Sequence, residues 1–430
     1  MRFTALASLF LLAAPVALRA QGTPDDQLPA SYLNNVVPHS SHSGNAAGSG
    51  GVLGNKSNAS VLGVDSVTNW SSYFYLPGFD SFGGTQYTWQ YTMVGNSPFQ
   101  RNDQAGEGDS DFSGATTKIG APVIPVNLDL RNYDGSPRYL NGKRMYLDAT
   151  QLVNPVLKSP VFSNTNYDSS ERPTQFTDAV QKAEFYNKSQ EDWHTILKPR
   201  VGTPRTMVLI RGTYRFGAKT DGTLTYVLVD ANAFGNALFP ATPSDTSTPI
   251  GAAENSGDIQ TKDISTFLFN NVFLYSNGDP NQCCIIGYHT YDVEPGSAAN
   301  GNREKRYVVD YASWISPGVF RDPSFADVAA LSHELSETFN DPFVNNSVPW
   351  WLAPNGNCQN NLETGDVTEG LPNAQYPISL NGMTYHPQNE ALLQWFAGVV
   401  PSSAINHAYS YPDTRVLTSA ATLQKPGCTP

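Results

Sequence analysis

After its first twenty residues the chain has no apolar run long enough to cross a bilayer, which takes about 20 such residues in a helix. Basic residues are scarce: 26 Lys and Arg stand against 38 Asp and Glu, a formal net charge of −12. That excludes nucleic acid as a partner, because its affinity comes mainly from cations on phosphate. Charge of either sign is thin, at 15% of residues against a usual value of about 25%. Ser, Thr, Asn, Gly and Tyr fill the gap, as on many extracellular surfaces. The four cysteines contain no C-x-x-C pair, which argues against a zinc–thiolate site. No G-x-S-x-G is present, which sets aside a serine hydrolase of that type.

What is there begins with Met1–Ala20, an early positive charge followed by an apolar run and small residues. It reads as a secretory signal peptide, giving an exported, extracellular protein that starts near Gln21 and does not span a membrane. Asn55, Asn58, Asn69, Asn187 and Asn345 each open an Asn-x-Ser/Thr sequon, as expected of loops in a secreted glycoprotein. Cys283, Cys284, Cys358 and Cys428 suggest two disulfides. A bond between the adjacent Cys283 and Cys284 would close a small strained ring. The expectation is therefore that each pairs with Cys358 or Cys428.

Residues 21–65, rich in Ser, Gly and Asn, have no hydrophobic period and read as a disordered arm whose His39 and His42 are exposed coil residues. Residues 66–200 read as a β-rich part with one helix, placed where Phe176, Val180, Ala183 and Tyr186 recur on one side. His194, near its end, reads as structural. In residues 201–415, "RTMVLIRGTYRF" and "LTYVLVDANAF" flank a turn and read as a hairpin. Three strand-like runs follow, then a helix, a Pro/Asn-rich loop and a second helix in "HPQNEALLQWFAG". Short links favour mostly antiparallel pairing, so the fold class is α+β. Residues 416–430 read as an extended tail.

The first of those late helices lies in "RDPSFADVAALSHELSETFNDP". Asp322 and Pro323 suit its start and Pro342 its end. Phe325, Val328, Leu335 and Phe339 form an apolar stripe for the sheet, with Ser332 completing the spacing. His333 and Glu337 are four apart and meet on one face, the geometry by which one helix offers two ligands to one metal. Glu334 sits one step round, where a general base would hang. Asp341, four beyond Glu337, opposes the helix dipole and needs a nearby cation. Downstream, "NLETGDVTEG" supplies Glu363, Asp366 and Glu369. His289 beside Tyr288, and His386 beside Tyr385, are candidate oxyanion donors. Simple hydrogen-bonded structural roles compete with that reading.

"SHELSETFNDPFVN…ETGDVTEG" resembles the exordium (phosphate-induced protein) group of secreted proteins, where an H-E-x-x-E helix precedes an acidic segment. That group is associated with cell-wall and growth functions. The likeness spans Met93 to Tyr411, but only the helix and the acidic segment are specific. The helix also resembles that of the gluzincins, the thermolysin-like zinc peptidases. It departs from them where Glu337 replaces a histidine ligand and in a Glu363–Asp366 spacing one residue short. The resemblance implies a zincin-like site helix packed on the sheet of residues 201–415.

The resulting expectation is a secreted metal-dependent hydrolase, most simply a zinc peptidase-like protein acting on a peptide or cell-wall polymer. Zn²⁺ would be held by His333, Glu337 and either Glu363 or Asp366, with Glu334 as the proton acceptor. Calcium or another divalent ion is the alternative cofactor. The rival function is a non-catalytic cell-wall-associated protein with a structural metal site and carbohydrate binding.

Overall fold

The computed structural model describes residues 25–29, 31–39, 67–76, 87–98, 116–167, 172–186, 188–189, 191–298, 302–423 and 428. The leader, His42 and the sequons at Asn55, Asn58 and Asn187 lie outside them. A 15-residue strand, Thr117–Arg131, is the spine of a seven-stranded sheet. Successive side chains of a strand point to opposite faces, and here both faces are apolar. Ile124, Val126 and Leu128 enter one core, and Ile119, Ala121 and Val123 enter the other. Helices Ala231–Leu238 and Pro249–Ser256 line the first core through Phe234, Leu238, Ile250 and Ala253. The helix Ala329–Asn340 lines the second through Leu331, Leu335 and Phe339.

The α+β class holds, and the smaller sheets are largely antiparallel. The central sheet is mixed. The spine runs parallel to Thr195–Val201, to Arg205–Ile210 and to Ile264–Asn270. Ile264–Asn270 in turn runs parallel to Lys305–Trp314. A parallel pair needs a crossover of about a dozen residues or more. The stretch 132–194, which holds the helix Phe176–Glu184, supplies one. Strands from both the 66–200 and the 201–415 parts therefore share one sheet. The strand Gly287–Glu294 closes an edge, antiparallel to Lys305–Trp314, with His289 directly opposite Asp310.

Several expected elements are corrected. The run "RTMVLIRGTYRF" breaks in two. Arg205–Ile210 joins the spine, and only Tyr214–Ala218 forms the hairpin with Leu224–Asp230. "HPQNEALLQWFAG" is a two-residue strand, Glu390–Ala391, and one helical turn, Leu393–Phe396. The site helix starts at Ala329, because Asp322 instead accepts the Ser324 N–H in a turn and Asp327 takes a positive φ of 46°. Phe325 leaves the stripe for a separate core cluster.

The disulfide expectation is also overturned. Cys283 pairs with Cys284, and Cys358 pairs with Cys428 at a Cα separation of 5.8 Å. Cys358 opens a strand of the hairpin whose other strand, Ser347–Leu352, pairs with Thr422–Leu423. That pairing brings the tail, and Cys428 with it, to the hairpin. Part of the arm is built into the fold as well. Asp26 is buried against Arg138, and His39 bridges Ile285 through the backbone.

Candidate metal centre

The site helix is buried along its whole length, between the edge of the sheet and the acidic segment. Register decides what the sheet presents to it. Val308 and Ala312 belong to the core that the helix lines, so Asp310 between them turns the same way. Thr338 confirms this by donating to Asp310 Oδ1 at 2.6 Å. His289, opposite Asp310, and Gly287, opposite Ala312, follow onto that face. The lack of a side chain at Gly287 matters, since a Cβ there would stand 2.4 Å from Glu334 Oε1.

The acidic segment is strapped over the helix by its backbone. Gln388 Nε2 donates to the Gly365 carbonyl at 2.8 Å, and the Ala391 N–H to that of Thr364 at 2.9 Å. Asn355 Nδ2 donates to the carbonyls of Asp366 and Glu369 at 2.8 and 2.9 Å. Gly365 lies flat on the His333 ring, where a Cβ would come within 2.4 Å of Nδ1.

Glu337 is the hub of the resulting cluster. Its Oε1 lies 3.1 Å from His333 Nε2 and accepts the N–H groups of Gly365 and Asp366 at 3.0 and 3.3 Å. Among the described residues nothing donates to its Oε2, which lies 3.7 Å from His289 Nε2. His289 Nε2 is in turn 3.0 Å from Glu363 Oε2. On the other side, His333 Nε2 lies 3.6 Å from Asp366 Oδ1, and its Nδ1 lies 3.7 Å from Glu369 Oε1. Asp366 Oδ2 is oriented by Gln359 Nε2 at 2.7 Å. Glu334 has a ligand atom within 4.8 Å of those of His333 and Glu337.

The four metal positions read from the sequence are thus brought together but divided. Glu337 and Asp366 each approach His333, whereas Glu363 faces His289. His289 is therefore a candidate metal ligand. Tyr288 points to the opposite core. His386 and Tyr385 are structural: His386 Nδ1 bonds Asp327 Oδ2 at 2.7 Å, and Tyr385 donates to the Pro155 carbonyl at 2.8 Å. His194 is structural too, 2.7 Å from Asp178. Asp341 needs no cation, because the N–H groups of Asn345 and Asn346 satisfy it, and burial pushes its carboxyl up to about 6.

These buried groups have the donor set for a metal ion. Among the described residues, two imidazoles and five carboxylates are gathered with no side chain more than 6% exposed. Burial lowers the proton affinity of His333, but Glu337, Glu334 and Glu369 outweigh it and hold its pKa well above the ordinary value. The field that would retain a proton there is one that attracts any cation. Nearby Glu390 and Asp310 are pushed up by burial, Asp310 to about 7. No protein-family model, curated protein or solved structure matches the chain.

Proposed function

We propose that this chain is an exported metalloprotein that keeps a divalent transition-metal ion on His333, Glu337 and Asp366, in a centre closed to solvent. The observation that carries the reading is the gathering of buried imidazole and carboxylate ligand atoms within 4.8 Å of one another, in side chains no more than 6% exposed. Imidazole in the donor set favours zinc or a neighbouring transition metal over calcium, which prefers oxygen alone. Glu369 then serves as the carboxylate that fixes the outer ring nitrogen of His333, and Gln359 orients Asp366. Paired cysteines suit an oxidising compartment and support export.

A hydrolytic role is the second reading, favoured by the place of Glu334 beside His333 and Glu337. A bound divalent ion would polarise a substrate carbonyl and acidify water. Glu334, held under Gly287, would take up and return the proton. Catalytic metal sites keep one position open to water, whereas these side chains are sealed. The closure favours a resident, stabilising ion.

The test is elemental analysis of the purified chain, followed by chelation in sub-denaturing urea and a thermal melt. The expected result is at least one transition-metal ion per chain and a clear fall in Tm on stripping. An ion at about a thousandfold its Kd stabilises by about 4 kcal/mol. A metal-free protein whose Tm ignores both chelator and added Zn²⁺ would overturn the reading.

A further inference from the structure

We infer that the centre is dinuclear, with a second divalent ion between His289 Nε2, Glu363 Oε2 and Glu337 Oε2, and with Glu337 bridging the two positions. The inference rests on the metalloprotein reading above and extends it. The first support is spacing. Donors bonded at about 2.1 Å to a tetrahedral ion stand roughly 3.4 Å apart. The contacts from His289 Nε2 are 3.0 Å to Glu363 and 3.7 Å to Glu337, on either side of that value. Those from His333 Nε2 are 3.1 Å to Glu337 and 3.6 Å to Asp366. Each histidine thus has its own pair of carboxylates, and only Glu337 is common to both.

The second support is the asymmetry of Glu337. Its Oε1 is held by two backbone N–H groups, while Oε2, equally buried, accepts none among the described residues and lies 3.7 Å from His289 Nε2. A carboxylate oxygen buried at 1% exposure without a donor is costly, and a cation at that point removes the cost. Paired metal sites have separations of about 3.5–4 Å, a span one bridging carboxylate covers.

The test uses the whole purified chain, unfolded in urea with chelator to strip its metal and refolded in the presence of Mn²⁺. Bound manganese is counted after gel filtration, and the electron paramagnetic resonance spectrum is recorded. The wild type should hold two ions per chain with an exchange-coupled spectrum. His289→Gln and Glu363→Gln should each hold one, with the six-line spectrum of an isolated ion. Their far-UV circular dichroism reports whether they fold. If either does not, the other variant and the wild-type count and spectrum decide. One ion per chain in the wild type, retained in both variants, would overturn the dinuclear centre and leave the metalloprotein reading intact. Two ions in the wild type and in both variants would also overturn it. No bound manganese in the wild type overturns both.

Discussion

Replacing Gly365 by alanine adds one methyl group at the tightest contact of the centre. That methyl would stand 2.4 Å from His333 Nδ1, 2.5 Å from Cε1 and 2.6 Å from Cγ. Ordinary carbon contacts lie near 3.5 Å, so the ring or the loop must yield by about 1 Å. Neither side is loose. The loop is tied by Gln388 to the Gly365 carbonyl and by the Gly365 N–H to Glu337. The helix is wedged on the sheet by Leu331, Leu335 and Phe339. Overpacking of this kind costs about 1–3 kcal/mol, which is the loss expected for the metal-free variant. A ring displaced by 1 Å also leaves coordination range, which tolerates about 0.2 Å. The metal-loaded comparison should therefore show a larger loss than the metal-free one, by up to about 4 kcal/mol at saturating ion. Urea unfolding of both proteins, stripped and loaded, measures all four stabilities. If Gly365→Ala is as stable as the wild type and gains as much from metal, the packing of Gly365 on His333 is refuted.

Two further predictions lie outside the centre. Glu254 is buried facing Asp292, and burial followed by the Asp292 charge pushes it up to about 9. The folded state thus keeps a proton that the unfolded chain releases near pH 4.5. Its contribution is complete below pH 4.5 and is lost as pH rises toward 9. Glu254→Gln should flatten that part of the stability–pH curve, and parallel curves for variant and wild type would count against the pairing. Opening the Cys358–Cys428 bond, 70 residues apart, by a double Cys→Ser change should cost about 4 kcal/mol by loop entropy. An unchanged urea midpoint would contradict it.

Which parts of the site could be read in advance follows from the distance over which each signal acts. His333 and Glu337 were legible because helical spacing is local and fixes a shared face. Asp366 was legible as the nearest acidic segment. The place of His289 beside Glu337 and Glu363 was not, because it depends on the partner strand. "GYHTYD" alternates, but only the pairing of His289 with Asp310 says which face turns to the helix. A signal was present in "KRYVVDYASW", where one aspartate interrupts an apolar strand and marks a polar spot on the sheet. Gly287 and Gly365 were silent for a related reason: each matters through what packs on it from far along the chain. The parallel spine was missed because strand direction depends on the route of the crossover, which local pattern does not encode.

The sealing of the centre governs how it would acquire its ion. With His289, His333, Glu337 and Glu363 no more than 1% exposed, a bound ion exchanges only when the acidic segment lifts or the chain unfolds. Loading then belongs to the moment of folding, before the strap over the helix closes. Equilibrium preference among divalent metals follows a fixed order that puts copper and zinc high, but a closed centre does not sample that equilibrium. An ion held there would record the metal supply of the compartment where the chain folded. Protein made in two hosts could hold two different metals, each retained through purification in the same metal-bearing buffer.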